Sequence, residues 1–209
     1  MGKGLFISIE GPDGSGKSTQ IENIKQFFAD RNIDALFTRE PGGTAIGERI
    51  RDILLDRECE DMNDMTEAML YAASRAQHVA QVIKPALQEG KIVICDRFVD
   101  SSIAYQGYGR NLGEAVAIIN TYAVDGCIPD VTFLMKVDPS VGIGRIVSDS
   151  RDRMDRQKET FHRKVYRGYL ELEKENPGRI VGIDANRSIG DIKEEIYRKL
   201  EEVLRRVTF

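Results

Sequence analysis

Gly11-Pro12-Asp13-Gly14-Ser15-Gly16-Lys17-Ser18 stands between two runs of opposite periodicity. Before it, Leu5-Phe6-Ile7-Ser8-Ile9 is apolar and β-favouring; after it, Thr19 to Phe28 carries apolar residues at helical spacing. The octapeptide has the form G-x-x-x-x-G-K-[ST], and strand, glycine-rich loop and helix in that order make it a phosphate-binding loop. The glycines let successive backbone N–H groups turn inward, and the helix N-terminus adds about half a positive charge. Lys17 supplies a full charge to the β- and γ-phosphates of a nucleoside triphosphate, and Ser18 can ligate Mg²⁺.

Outward from this loop, strand and helix patterns alternate. Ala35–Thr38, Ile92–Cys95, Val131–Met135 and Ile180–Ile183 read as further strands. Helical patterns cover the residues after Thr44, then about 65–89, 114–124, 140–147, 160–174 and 191–206. Asn63 or Asp64 is a candidate cap for the long helix from Met65, and Pro85 is expected to bend it late. Ile92-Val93-Ile94-Cys95 is continuously apolar, as suits a central strand covered on both faces. Such repeats imply right-handed crossovers and a P-loop NTPase-type three-layer α/β/α fold with a five-stranded parallel sheet, its ligands at the carboxyl ends of the strands. No linker rich in Pro, Gly or Ser divides the 209 residues, so a single domain is expected.

The formal net charge of −4 argues against a nucleic-acid polymer as partner, and no apolar run approaches the ~20 residues that span a bilayer. Cys59, Cys95 and Cys127 lack metal-ligand spacing and read as reduced thiols of a cytoplasmic protein. Basic residues nevertheless crowd one stretch, from Arg145 through Arg151, Arg153 and Arg156 to Arg167. Local cations in an acidic chain suit a small polyanion.

The end of the third strand narrows the chemistry. Asp96 closes an apolar run in the Walker B manner and can hold Mg²⁺. Motor ATPases follow that Asp with a water-orienting Glu; here Arg97 follows, which suits a phosphate-bearing acceptor. No N-K-x-D guanine-reading motif is present. A kinase of this kind must bring two polyanions into line, keep water out, and surround the transferred group with cations, some on a mobile lid. Residues 145–160 are the candidate lid.

At these positions the chain resembles the thymidylate kinase family. Asp96-Arg97-Phe98-Val99-Asp100-Ser101-Ser102-Ile103-Ala104-Tyr105-Gln106-Gly107 is similar to the family's D-R-[YFH]-x-x-S-x-x-A-Y-Q-G motif. Thr38-Arg39-Glu40-Pro41-Gly42-Gly43-Thr44 resembles its T-R-E-P-G-G-T loop, and Glu67–His78 its E-A-L-L-F-A-A-x-R-A-Q-H helix. Asp152-Arg153-Met154-Asp155, Phe161-His162 and Gly168-Tyr169-Leu170 resemble its lid and the helix after it.

The resemblance implies ATP-dependent, Mg²⁺-dependent phosphorylation of dTMP to dTDP by a homodimer. The alternative is another small-molecule kinase of this fold, acting on a nucleotide or a nucleoside. In the family reading Gly11, Pro12, Asp13, Gly14, Ser15, Gly16, Lys17 and Ser18 bind ATP, while Ser18 and Asp96 hold the metal. Arg97 clamps the acceptor phosphate with help from Arg39 and Arg51, and Asp13 sits near the acceptor sugar and the metal. Tyr71, where the family has Phe, stacks on thymine; Arg75 bonds a base carbonyl. Ser102 and Gln106 approach the base, and Tyr105 packs beneath the deoxyribose and excludes a 2′-hydroxyl. Because Ser15 stands where some members carry a P-loop arginine, the resemblance assigns the γ-phosphate contact to the lid, to Arg153 with Arg145 and Arg151 as alternatives. His78 and His162 read as packing or surface residues. Residues 184–186 are expected near adenine.

Overall fold

A computed structural model of the chain describes residues 4–145 and 152–206. Five parallel strands, β1 (Leu5–Glu10), β2 (Ala35–Arg39), β3 (Ile92–Asp96), β4 (Val131–Lys136) and β5 (Ile180–Asp184), form one sheet in the order β2-β3-β1-β4-β5. The expected five-stranded parallel sheet is present, each strand within a residue of its expected bounds. Ile7, Ile94 and Phe133 are fully buried, each contributing about 1.5–3 kcal/mol relative to exposure.

One face of the sheet is covered by α1 (Lys17–Ala29) and α9 (Ile189–Arg206), through Ile24, Phe27, Ile196 and Leu200. The other packs on Val79, Ile83, Phe98 and Val124. Around these lie α2 (Ala45–Leu55), α3 (Asp64–His78), α4 (Lys84–Gln88), α5 (Val99–Ser102), α6 (Glu114–Val124), α7 (Pro139–Arg145) and α8 (Glu159–Glu175). Asn63, not Asp64, caps α3, its side chain accepting from Met65 N at 2.9 Å. Just ahead of Pro85, where a bend is expected, a π-helical turn, Val79–Ile83, joins α3 to α4. Proline has no N–H to donate to the carbonyl of Gln81, so the ladder widens just ahead of it. A second π-helical segment, Ile103–Gly109, continues α5 and packs under α8. The glycines and serines of residues 101–109 hid that helix from the sequence reading.

Strand register sets where the polar side chains emerge. Ile9 pairs with Asp96 and Asp96 with Arg39, so Glu10, Arg39 and Asp96 end their strands together at one edge of the sheet. β1 lies between β3 and β4, where the connections change direction; there a crevice opens at the strand ends. Among the described residues no helix is long and apolar enough to cross a membrane.

Candidate active site

The phosphate-binding loop leaves β1 and enters α1 with Gly11, Gly14 and Gly16 at φ 142°, 72° and 88°, values that L side chains rarely adopt. Lys17 Nζ donates to the carbonyls of Gly11 (2.9 Å) and Pro12 (2.8 Å), which fixes the ammonium within the loop's own curl. Burial, then repulsion from Arg97, push Lys17 down to about 8. A Cβ on Gly14 would collide with the carbonyl of Gly142, and one on Gly142 would lie 2.5 Å from Asp13 O. That glycine-on-glycine contact lays α7 against the loop and brings Arg145 Nη1 to 3.4 Å from Gly14 O.

Arg97 follows β3 at φ 65°, a left-handed conformation uncommon outside glycine, and its N–H donates to Ile9 O at 2.9 Å. Its Nη1 donates to Gly11 O (3.0 Å), Ser101 Oγ (3.2 Å) and Tyr169 OH (3.3 Å), while Nη2 pairs with Asp13. Tyr105 OH donates to the other Asp13 oxygen at 2.6 Å, and its ring lies 5.1 Å from the Arg97 guanidinium. Burial works against the Asp13 carboxylate, but Arg97, Lys17 and the Tyr105 hydroxyl together hold it below the usual range.

Two cavities meet on these residues. The first is lined by Arg39, Tyr71, Arg97, Ser102, Tyr105 and Gln106, six of the seven predicted acceptor residues, and also by Arg51. The second runs along the loop from Asp13 to Gln20, beneath Arg145, and past Ala185 and Arg187. Asp13, Asp96 and Arg97 line both. One crevice therefore has two compartments with an acid–base–acid group at their junction.

The seventh predicted residue, Arg75, stands one layer behind. Fully buried, it donates to Glu40 (2.8 Å), Ser102 Oγ (2.8 Å), Asn120 Oδ1 (2.5 Å) and Phe98 O (3.0 Å). It holds Ser102, which does reach the cavity. Glu40 also bonds His78 Nδ1 at 3.0 Å, and His78 Nε2 lies 2.7 Å from Thr38 Oγ1, making His78 the packing residue it was expected to be. Gln106 Nε2 donates to Glu67 at 2.9 Å.

Arg153 is not brought to the phosphate loop. It is buried, its Nε donating to Leu54 O at 2.9 Å and its Nη2 lying 2.7 Å from Glu67 Oε2. Glu67 is itself buried and also binds Arg110 at 2.8 Å, so it draws in both cations. Of the alternatives, Arg145 reaches the loop, and Arg151 lies outside the described residues. Asp96 Oδ1 is buried without a hydrogen-bond partner among the described residues. Such an oxygen, with the Ser18 hydroxyl on the loop, fits a divalent cation.

Sequence reasoning missed Glu10 and Arg187. Glu10 is fully buried at the end of β1 yet bonds four groups around Arg97. An acid directly before a glycine-rich loop, in a strand with no other charge, was the signal available. Arg187 is an exposed residue with none.

The thymidylate kinase family profile matches residues 9–196. The chain belongs to the thymidylate kinase family. A thymidylate kinase from Clostridium novyi is 46% identical over 200 residues, covering 94% of this chain and 98% of the relative. One from Halothermothrix orenii is 47% identical over 207 residues, covering 97% and 99%. The crystal structure of thymidylate kinase from Ehrlichia chaffeensis has a TM-score of 0.77 at 33% identity, covering 95% of this chain and 98% of the other. Membership of this family makes the chain a phosphotransferase.

Proposed function

We propose that the chain transfers the γ-phosphate of ATP to dTMP, giving dTDP and ADP, with the two nucleotides meeting head-on at Asp13, Asp96 and Arg97. The observation that carries this reading is the sharing of those three residues by both cavities. The phosphate loop takes the triphosphate, and the cavity beyond Arg97 takes the monophosphate. An oxygen of the dTMP phosphate attacks the γ-phosphorus while the bond to the bridging oxygen of the departing ADP breaks. A loose transition state of this kind needs positioning and positive charge more than a base.

Arg97 answers that need, its planar fork matching phosphate oxygens in pairs. Arg39 and Arg51 flank it, each donating to Pro41 O and each lining the acceptor cavity. Tyr71 offers a ring face to thymine, with Ser102 and Gln106 at the base edge. Arg75 acts on the base through Ser102. Tyr105, pinned to Asp13, closes the space a 2′-hydroxyl would need. The γ-phosphate role expected for Arg153 passes in this reading to Arg145, at the start of a lid spanning residues 145–160 of a single kinase domain. Ser18 and Asp96 would hold Mg²⁺, which when bound neutralises charge on the phosphate oxygens.

Pairing of two chains is supported by the packed helices α2, α3 and α6, which leave Ile53, Met69, Ile118 and Tyr122 exposed. A reducing compartment such as the cytoplasm suits the three free cysteines. The test is a coupled assay with ATP, Mg²⁺ and an acceptor panel. Turnover of dTMP should exceed that of dCMP, AMP and thymidine, and Tyr105→Ala should raise the ribonucleotide-to-deoxynucleotide ratio at least tenfold. Equal turnover of AMP and dTMP would defeat the assignment; an unchanged ratio would remove the sugar-gate role from Tyr105.

A further inference from the structure

Glu10 is a carboxylate placed where an apolar residue would serve the strand better. It ends β1, is fully buried, and points toward the turn that carries Arg97. One oxygen, Oε1, accepts from Phe98 N at 2.7 Å and Ser101 N at 3.3 Å. The other, Oε2, accepts from Ser101 Oγ at 2.5 Å and Tyr169 OH at 3.0 Å. Those two hydroxyl oxygens in turn accept from Arg97 Nη1, at 3.2 and 3.3 Å. The arrangement is a two-step chain from three elements, β1, α5 and α8, ending on one guanidinium nitrogen.

With Glu10 ionised, above about pH 7, one pattern of donors and acceptors satisfies that chain. Arg97 is a donor only, so each hydroxyl it bonds presents a lone pair to it; Nη1 shares its two protons among both hydroxyls and Gly11 O. An ionised carboxylate is an acceptor only, so both hydroxyl protons can point to Glu10. Each hydroxyl has a single proton, so the 2.9 Å approach of Ser101 Oγ to Tyr169 OH is left without one. Tyr169 keeps its proton, because burial and then Glu10 hold its phenol well above the ordinary range. A neutral amide in place of Glu10 could accept from both hydroxyls only by turning its NH₂ group against the N–H groups of Phe98 and Ser101.

We propose that Glu10 is a positioning residue for phosphoryl transfer: its carboxylate takes the hydroxyl protons of Ser101 and Tyr169 and so turns both oxygens toward the Arg97 guanidinium. This rests on the reading of Arg97 as the cation between the two phosphates. The relay fixes Nη1 and leaves Nη2 directed to Asp13 and the junction of the cavities. A guanidinium held in that way meets the transferred group without having to reorganise.

A residue that only capped the Phe98–Ser101 turn would affect stability, and its effect on turnover would not depend on the two hydroxyls. Glu10→Gln keeps the shape and reverses the polarity of one oxygen. Its amide would either oppose the N–H groups of Phe98 and Ser101 or donate to the hydroxyls it should receive from. The full-length enzyme is assayed at about pH 8, where Glu10 is ionised, at saturating ATP and dTMP, in the wild-type background and in a Ser101→Ala/Tyr169→Phe background. In the wild-type background Glu10→Gln should lower kcat roughly 10- to 100-fold, with KM for ATP within about threefold. In the double-variant background it should lower kcat no further, since the intermediaries are gone. Unchanged kcat in the first background, or an equal loss in both, would overturn the relay. Should Glu10→Gln fail to fold, Ser101→Ala/Tyr169→Phe decides alone: a tenfold or larger fall in kcat upholds the proposal, and wild-type kcat overturns it. Arg97→Ala separates the two levels. If it stays fully active, the reading of Arg97 itself has failed; if it is inactive while Glu10→Gln is unaffected, only the relay has.

Discussion

Arg97 and Arg153 were both expected to be catalytic cations, and the chain treats them in opposite ways. Arg97 follows a central strand whose register is set by pairing on both edges, and partners from β1, the phosphate loop, α5 and α8 hold it. Arg153 lies on a turn before α8, and its place is decided by which acid is buried nearest. That acid is Glu67 on α3, which also pairs with Arg110. A cation after a strand is located by the sheet, whereas a cation on a loop is located by its counter-ion. The floor of the cleft is therefore built in, and its roof depends on contacts such as Gly14 on Gly142.

The largest expected effect breaks the floor. Lys17→Ala should cut kcat by more than about 10³-fold, because it removes the fixed charge from the donor phosphates. Among the described residues its hydrogen bonds reach only Gly11 O and Pro12 O of its own loop, so the circular dichroism spectrum and melting temperature should stay close to wild type. A variant with full turnover would end the phosphate-loop assignment. The next effect sharpens the contrast in the roof. Arg145→Ala should lower kcat on the order of 10²-fold with little change in stability, since its side chain is exposed. Arg153→Ala should do the reverse. Turnover changes by less than tenfold, while the loss of one partner of buried Glu67 costs about 1–3 kcal/mol, read as a lower melting temperature. If Arg153→Ala instead loses turnover at unchanged melting temperature, the γ-phosphate contact returns to Arg153.

The same contrast explains what the sequence made legible. The glycine-rich loop, the apolar run into Asp96 and the five strands were readable because local pattern and tertiary environment agree there. Residues 99–109 were not read as helical, because Ser101, Ser102, Gly107 and Gly109 have weak helical preference and tertiary packing under α8 overrides it. Arg75 is expected at the base, and the structure shows its protein partners behind the cavity, Glu40, Ser102 and Asn120. A motif gives the residue and not the layer it occupies. The resemblance assigns Arg153 the γ-phosphate contact and does not show its pairing with Glu67, which lies 86 residues away with no local spacing to join them. Glu10 went unread because its partners come from α5 and α8, far along the chain.

The smallest effect concerns Glu10 and is a matter of sign. Burial, and then the neighbouring Asp100, push its carboxyl from the ordinary range up to about 7. Arg97, Tyr169, Lys17 and Arg179 also face it, and Arg179 is engaged by Asp100 at 2.6 and 2.8 Å. In the unfolded chain the group ionises near 4.5, so between about 4.5 and 7 the folded protein binds a proton that the unfolded chain has released. The stability this gives is fully present below the lower value and is lost as pH rises through the upper one. Glu10→Gln has no such proton. Its melting temperature should therefore gain on that of the wild type between pH 5 and pH 8, by an amount equivalent to a few kcal/mol at most. A gap that stays constant across that range would mean that Glu10 is already ionised at pH 5, and that the hydrogen bonds from Phe98, Ser101 and Tyr169 outweigh its burial.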